Sequence, residues 1–377
     1  MWNRTAVDFS KMENSLGNDD KNIVTALLEK IGSLQIKDSA IYPSGLFPSQ
    51  RYHTLLPYRR EDCNVFFTSL VVFTLQNLDI KLTEYQKSLA RNICKKAIKT
   101  YPLYQSRKGL KTYNFWQNTA NRQFPHGYLL NRLKFLELPD DVDDTVIIYM
   151  TKPHSQDDAI WLKEELIKHA NKSKKQIQNT LPQYKNLKAY TTWFGKNMYL
   201  EFDFCVLCNT MYFVHHYNLP YSEQDTATVN YLKNVITSGD HLLHPFKVAP
   251  SYPRPALIFY HLTRLMAAFD IPELSDLRSR ILLQMSQRLT SEKHMIEKIL
   301  LAISIGRLTG EYPEVSYSLP LQYKNYYFFN GGLLTAFENP ITRRLAPNDI
   351  FHLKHTCEAY YLTLLVEYEV LRKEERE

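Results

Sequence analysis

The sequence predicts an all-helical protein, and three of its features lead to that prediction. Apolar residues recur with a period of about 3.6 along most of the chain, as they do on one face of a helix. Glycine makes up 11 of 377 residues, about half its usual share, so tight hairpins and phosphate-binding loops should be few. Strand-like alternation is rare, and its best example, 142–149, continues a helical pattern equally well. We therefore expect helices and negligible sheet.

The helical pattern runs through the chain without an obvious linker. The predicted helices lie near residues 22–35, 61–78, 83–100, 126–136, 141–153, 156–175, 203–218, 224–238, 254–269, 274–289, 291–308, 328–338 and 350–372. Residues 1–20 are polar, so we expect a flexible N-terminal lead-in there. No Pro-, Ser- or Gly-rich segment divides 21–377, which we interpret as a single domain.

The predicted helices are of two kinds. Segments 82–99 and 159–177 are charged and amphipathic, whereas 61–67, 140–148 and 201–207 are apolar nearly all round after a polar start. A helix that is apolar on every side is buried. Two concentric rings, with buried helices inside and amphipathic helices outside, would produce this alternation. We therefore expect an (α/α)6 toroid, and an irregular helical bundle is the alternative.

Composition limits the classes of partner. The formal charge is +7, but the densest basic runs, 91–99 and 163–175, have helical spacing. We interpret them as solvated helix faces and expect no nucleic-acid binding. Five loosely spaced cysteines do not indicate a disulfide framework. We see no signal peptide and no transmembrane segment of about 18 apolar residues, so we expect a soluble, cytoplasmic protein. Peripheral membrane contact and oligomer formation stay open.

The sharpest local feature is a cluster of aspartates. Asp140, Asp141, Asp143 and Asp144 fill four of five successive positions just before an apolar helix. Like charges at these spacings repel on a helix. Carboxyl groups packed together titrate as a coupled set, and the pKa of at least one member rises. A carboxylic acid that keeps its proton in this way can serve as a proton donor.

The segment Asp141-Val142-Asp143-Asp144-Thr145 resembles the Asp-x-Asp-Asp motif of class II terpene cyclases. In that family the motif begins an inner helix of an (α/α)6 toroid, a fold shared with protein prenyltransferases. The resemblance implies that Asp143 is the catalytic acid that protonates an alkene or epoxide of a linear isoprenoid. Asp141 and Asp144 would orient and acidify it. The likeness continues in Trp193-Phe194, Asp203-x-x-Val206-x-x-Asn209, Ser251-Tyr252-Pro253-x-Pro255, Tyr260-x-x-x-Arg264 and, compatibly, 331–336.

The chain also departs from the family pattern. Members usually have a second helical domain, for which this chain is too short unless a partner supplies it. The nearest match to their Gln-x-x-x-Gly-x-Trp repeats is Gln105-x-x-x-Gly109-x-Lys111, which argues against a squalene-type substrate. If the substrate is a prenyl diphosphate, the basic surplus could hold it and Mg²⁺ could be required. We expect no other cofactor and assign no metal ligand.

Cation chemistry needs a dry cavity with aromatic walls. Each aromatic face stabilises a nearby cation by about 0.5–2 kcal/mol, and excluded water prevents premature quenching. We expect Asp62, Asp143 and Asp203 to begin inner helices at one end of the toroid, facing this cavity. The aromatic residues that we predict to bind substrate are Trp116, Trp193, Phe194, Tyr252, Tyr260 and Tyr326.

Two metal-dependent alternatives stay open. Asp140-Asp141-x-x-Asp144 also fits the Mg²⁺-binding pattern of class I terpene synthases, since carboxylate oxygens suit Mg²⁺. Asp203 and Cys205, with His261 as a third ligand, are similar to the zinc site of protein prenyltransferases.

Two further alternatives involve no metal. An (α/α)6 glycoside-active enzyme would need two carboxyl groups across a cleft, which Asp62 and Asp143 could supply. The non-enzymatic alternative is a toroid that binds an isoprenoid without chemistry.

Overall fold

The computed structural model describes residues 20–39, 42–106, 108–118, 124–125, 137–195, 198–319, 326–334 and 339–373. Within these residues the chain forms one mainly helical body. In chain order the helices are α1 Asp20–Leu34, α2 Phe66–Leu78, α3 Glu84–Ile98, α4 Val142–Thr151, α5 Gln156–His169, α6 Phe204–His216, α7 Glu223–Ser238, α8 Asp240–Leu243, α9 Pro245–Val248, α10 Pro255–Ala268, α11 Pro272–Ser275, α12 Arg278–Ser291, α13 Met295–Thr309, α14 Pro340–Leu345 and α15 Glu358–Lys373.

Side-chain caps fix where several helices begin. Thr83, Ser155 and Ser222 precede the amphipathic helices α3, α5 and α7, and each forms a reciprocal capping box with the residue three positions on. The buried helices α4 and α6 begin instead at Asp141 and Asp203, whose carboxylates accept backbone N–H groups of the first turn. The polar starts of these apolar segments are therefore caps.

Six helices form the buried part of the fold. Helix α2 packs on α4, α4 on α6, α6 on α10, α10 on α13, α13 on α15, and α15 packs back on α2. Helices α1, α3, α7 and α12 pack against members of this set and expose their opposite faces. The distinction between all-apolar and amphipathic segments in the sequence thus corresponds to buried and partly exposed helices.

Two antiparallel sheets accompany the helices. The first has the order β2-β1-β6-β5, from β1 Ser49–Tyr52, β2 Arg59–Asp62, β5 Phe329–Gly332 and β6 His352–Thr356. The second pairs β3 Asp140–Asp141 with β4 Trp193–Phe194. Because β6 pairs with β1 and with β5, the sheet brings an early segment of the chain beside a late one.

The prediction of negligible sheet is wrong. Residues 329–332 and 352–356, which the sequence placed in helices over 328–338 and 350–372, are strands, and 61–62 belong to β2. Strand β6 lacks an apolar pattern because four of its five buried side chains are polar; Lys354, for example, is 1% exposed and its ammonium group pairs with Asp349. A search for apolar periodicity does not detect a strand whose burial depends on ion pairs.

The remaining sequence predictions concern the N-terminal segment, the helix at 126–136, the cysteines and membrane spans. The helix predicted at 126–136 lies outside the described residues, as does the lead-in at 1–20 apart from residue 20, where α1 begins. All five cysteines are described, and each has a buried, free thiol. No described helix has the length and apolarity that crossing a membrane requires.

Candidate functional site

A cavity lies beside the N-terminal ends of α4 and α6 and one face of the larger sheet. It encloses about 1070 Å³ of empty space, part of which is open to solvent. Aromatic rings form much of its wall: Phe66, Phe115, Trp116, Phe124, Trp193, Tyr252 and Phe329. Carboxyl groups are the other shared feature: Glu137, Asp141, Asp143, Asp144 and Glu201. The lining therefore combines apolar surface with potential proton donors.

Asp141 shapes the start of α4. Its Oδ1 accepts the N–H groups of Asp143 at 2.6 Å and of Asp144 at 3.2 Å. Burial raises the pKa of Asp141 well above its ordinary value, and the neighbouring Asp143 raises it further. Thr145 donates its hydroxyl to the Asp141 carbonyl at 2.6 Å and accepts the Tyr113 N–H at 2.9 Å. The threonine of the motif therefore fixes the backbone that carries the carboxyl groups.

Asp143 is held by two donors from other elements. The Asn209 amide donates to Oδ1 at 2.6 Å, and the Tyr252 hydroxyl donates to Oδ2 at 2.5 Å. The Arg264 guanidinium donates to the Asn209 carbonyl oxygen, which turns the amide nitrogen of Asn209 toward Asp143. Burial raises the pKa of Asp143, and Asn209, Tyr252 and Arg264 oppose that rise. The carboxyl is thus oriented and weakly acidic for an aspartate.

Asp144 is the least satisfied of the three carboxyl groups. Its side chain is 1% exposed, and no described group donates a hydrogen bond to either of its oxygens. Burial raises the pKa of Asp144 well above its ordinary value, and Asp141 and Asp143 add to the effect. Because the pKa values of Asp141, Asp143 and Asp144 are all raised, these three carboxyl groups retain protons that separate, exposed carboxyl groups would lose.

Glu201 is a further carboxyl in the lining that the sequence did not single out as a site residue. Burial raises its pKa to about 7, although the Tyr199 hydroxyl donates to it at 2.9 Å and opposes the shift. The sequence feature that could have indicated this site is a glutamate two residues before the Asp203 cap, within an apolar segment. With its pKa near 7, Glu201 keeps its proton at mildly acidic pH, where an exposed glutamate would be ionised.

A separate charged cluster lies behind the sheet side of the cavity. Asp62 accepts the Trp116 indole N–H at 2.7 Å, and Nδ1 of His355 lies 3.1 Å from its other oxygen. Arg51 Nη1 lies 3.6 Å from the same carboxylate. Burial alone would raise the pKa of Asp62, but His355, Arg51 and Trp116 together lower it. Asp62 is therefore an ionised group that holds two cavity-lining residues, Trp116 and His355.

The structure brings together six of the nine predicted site residues. Asp141, Asp143, Asp144, Trp116, Trp193 and Tyr252 line the cavity. Phe194, Tyr260 and Tyr326 are not among its lining residues.

Those three aromatics have other contacts. The Phe194 ring packs edge-on against His169, and the Tyr260 hydroxyl donates to Glu367 at 2.7 Å. Tyr326 lies beneath the Arg254 guanidinium at 4.5 Å. Tyr260 lies one turn before Arg264 on α10, whose residues 255–265 are all buried. The position of Tyr260 in the sequence therefore could not show whether its ring lines the cavity or packs in the core.

The three aspartates expected to face the cavity divide into two roles. Asp143 lines it, whereas Asp203 and Asp62 are completely buried behind it. Asp203 caps α6 with one oxygen and accepts the Ser251 N–H with the other at 2.8 Å. Asp62 and Asp203 therefore support the lining through their hydrogen bonds.

The residues of the zinc alternative lie near these groups without forming a ligand set. Burial raises the pKa of the Cys205 thiol and lowers that of His261, and His261 Nδ1 lies 2.8 Å from the Leu257 carbonyl oxygen. Among the residues that the structure describes, no three His, Cys, Asp or Glu side chains are grouped as metal ligands.

No protein-family model, curated protein or solved structure matches this chain.

Proposed function

We propose that this protein is an acid-initiated isoprenoid cyclase built on an (α/α)6 toroid. The order of contacts among α2, α4, α6, α10, α13 and α15, which returns to its starting helix, supports the toroid. The observation that carries the activity is the setting of Asp143. Its carboxyl is oriented by two hydrogen bonds, its pKa is raised, and it faces a cavity with aromatic walls.

In the proposed reaction, Asp143 delivers its proton to a terminal alkene carbon. The alkene π electrons form the new C–H bond, and the neighbouring carbon becomes a cation. The next alkene attacks that cation and closes the ring. Asn209 donates to one oxygen of this carboxyl and the Tyr252 hydroxyl to the other, and together they orient it for the transfer. Aromatic faces stabilise the cation by about 0.5–2 kcal/mol each.

The carboxyl groups also indicate how the substrate lies. A diphosphate placed beside Asp141, Asp143, Asp144 and Glu201 would be repelled by whichever of them are ionised. We therefore propose that the hydrocarbon end approaches α4 and that any diphosphate stays away from it. The Asp140 carboxylate accepts the Thr112 hydroxyl at 2.7 Å and Asp141 caps α4, so both are engaged in protein contacts. These contacts favour the acid mechanism over Mg²⁺ ligation by the same aspartates.

Isotope incorporation tests the proposed function. The protein is incubated in D₂O with geranyl, farnesyl or geranylgeranyl diphosphate, with and without Mg²⁺. Protonation by Asp143 places one solvent deuterium in each cyclic product and releases no diphosphate. Ionisation of the diphosphate would release it without that initial uptake.

Substitution of the acid tests the assigned residue. Asp143→Asn keeps the shape of the side chain but removes the acidic proton, so cyclisation should fall by at least about 10²-fold. Asp157→Asn, at an exposed position of α5, is the matched control and should keep full activity. Full activity in Asp143→Asn would refute the assignment.

A further inference from the structure

A histidine on the sheet side of the cavity has the surroundings of a general base. His355 lies in β6, between β1 and β5, and its ring stacks on Phe329 with centroids 4.5 Å apart and planes 13° apart. Phe329 in turn lies 6.4 Å from the Tyr252 ring, and Tyr252 donates to Asp143. Aromatic rings of the cavity wall therefore separate the proposed acid from this imidazole.

The contact with Asp62 determines which ring nitrogen is free. The Asp62 carboxylate, ionised by its partners, can only accept, and it lies 3.1 Å from Nδ1 of His355. The contact lacks the alignment of a hydrogen bond, but the negative charge beside Nδ1 favours the tautomer with its hydrogen on Nδ1 and its lone pair on Nε2. Burial lowers the pKa of His355, and Arg51 adds to that effect, while Asp62 opposes it. The neutral imidazole is thus the form present at neutral pH.

The surroundings of Nε2 leave room for a ligand. No hydrogen bond joins Nε2 to a residue that the structure describes, and His355 lines the cavity. Gly331, on the neighbouring strand β5, faces it: a Cβ at that position would lie 3.2 Å from Nε2. The missing side chain at Gly331 therefore keeps space open beside the lone pair.

We infer that His355 is the general base that ends the reaction and that Asp62 is its positioning residue. This inference rests on the proposed function. A C–H bond next to the final cationic carbon breaks, and its electron pair forms a C=C bond. The proton goes to Nε2, and Asp62 stabilises the resulting imidazolium until solvent removes the proton. One proton enters from Asp143 and one leaves through His355, so the cyclic alkene is an isomer of the substrate.

The experiment compares two substitutions at His355. His355→Phe keeps a ring that can stack on Phe329 but has no lone pair, so formation of the cyclic alkene should fall by about 10²-fold. The cation should then be captured by water, and cyclic alcohols should replace the alkene in the product mixture. His355→Ala should behave in the same way, and added imidazole should restore the alkene by filling the space. Imidazole should leave the unchanged protein and His355→Phe unaffected.

A matched control comes from the same strand. His352 is 1% exposed and stacks on Phe246, but it does not line the cavity. His352→Phe should therefore leave the alkene-to-alcohol ratio unchanged. Asp62→Asn removes the charge behind His355, and we expect a lower kcat for alkene formation with an unchanged KM. Circular dichroism establishes whether each variant is folded, and His355→Gln replaces His355→Phe if the latter is not.

The outcomes separate this inference from the proposed function. If Asp143→Asn is inactive while the His355 variants give alkene at the original rate, the assignment of the base is overturned and the acid mechanism stands. If imidazole does not restore alkene formation in folded His355→Ala, the base assignment is likewise overturned. If the unchanged protein incorporates no deuterium and cyclises none of the three diphosphates, both fail together.

Discussion

Asp141, Asp143 and Asp144 are identical side chains in three different settings. Asp141 caps a helix, Asp143 is oriented by an amide and a phenol, and Asp144 has no described donor. Because their surroundings differ, we expect the three carboxyl groups to have different roles. We infer that Asp143 transfers the proton, while Asp141 shapes the backbone and Asp144 maintains the acidity of the cluster.

The unsatisfied carboxyl of Asp144 should reduce the stability of the protein. Asp144→Asn removes a group that cannot ionise favourably in its buried position, so we expect the free energy of unfolding at pH 8 to rise by about 1–3 kcal/mol. Activity should fall less than in Asp143→Asn because the donor itself remains. Urea unfolding of Asp144→Asn and of the surface control Asp157→Asn measures the difference. Lower stability than the control would show that Asp144 has a stabilising partner.

Glu201 should make stability depend on pH near neutrality. Because burial raises its folded-state pKa to about 7, its favourable protonated form is fully present below the unfolded pKa, about 4.5. Stability should therefore fall as pH rises from about 4.5 through 7. The loss attributable to this group is on the order of 3 kcal/mol. Urea unfolding at pH 5 and pH 8 should show a smaller difference for Glu201→Gln than for the unchanged protein; equal differences would contradict this prediction.

At the residue scale, the sequence reveals clusters that are local in the chain. The aspartates at the start of α4 are adjacent, so their mutual repulsion follows from spacing, whereas the main cause of their raised pKa values is burial. Asp62 and His355 become neighbours only through the pairing of β1 with β2 and β6. No pattern within one segment indicates such a pair, and the shift of Glu201 arises from burial that depends on the complete fold.

At the element scale, Asp203 connects a helix to a neighbouring loop. It caps α6, and it accepts the Ser251 N–H directly before Tyr252, the residue that orients Asp143. Asp203→Ala should lower the free energy of unfolding by about 1–2 kcal/mol, as the loss of an N-cap does. It should also reduce the proposed cyclase activity, because the loop that holds Tyr252 loses its hydrogen bond to Asp203.

A second cap provides the control for that effect. Ser155 caps α5 at an exposed position, so Ser155→Ala should cost a similar free energy of unfolding while activity is retained. Chemical unfolding and product formation are measured for both variants. Equal activity in the Asp203 and Ser155 variants would contradict the proposed link between α6 and Tyr252.

Helices were predictable from the sequence where their capping residues and apolar faces lie within one continuous segment. The caps and apolar faces of α3, α4, α6 and α7 place those helices close to their observed bounds. Strands β5 and β6 were not predictable in this way. Their identity depends on pairing with each other and with β1, and the two glycines that end β5 carry no apolar signal.

At the scale of the whole molecule, the six buried helices pack on one another in a closed cycle, in which α15 contacts α2. This closed packing should make unfolding cooperative. Leu364 of α15 is fully buried, and α15 packs on α1, α2 and α13. Leu364→Ala should lower the free energy of unfolding by about 2–5 kcal/mol. Tryptophan fluorescence, which includes Trp116 and Trp193 at the cavity, should shift together with the helical circular dichroism signal.

An exposed leucine provides the comparison. Leu283 of α12 is 61% exposed, and Leu283→Ala should change the free energy of unfolding by less than about 0.5 kcal/mol. If the fluorescence transition stays in place while the circular dichroism transition moves in Leu364→Ala, α15 unfolds independently of the cavity.

The pairing of β1 with β6, and of α2 with α15, has a consequence for biosynthesis. Both contacts join a segment made early to one made near the end of the chain. At about 5–20 residues per second, the ribosome takes roughly 15–60 s to travel between them. Throughout that interval, the part of the α2 surface that α15 covers and the edge of β1 that pairs with β6 have no partner in the nascent chain. Ribosome-associated chaperones that bind exposed apolar helices are therefore the factors on which the yield of folded protein should depend.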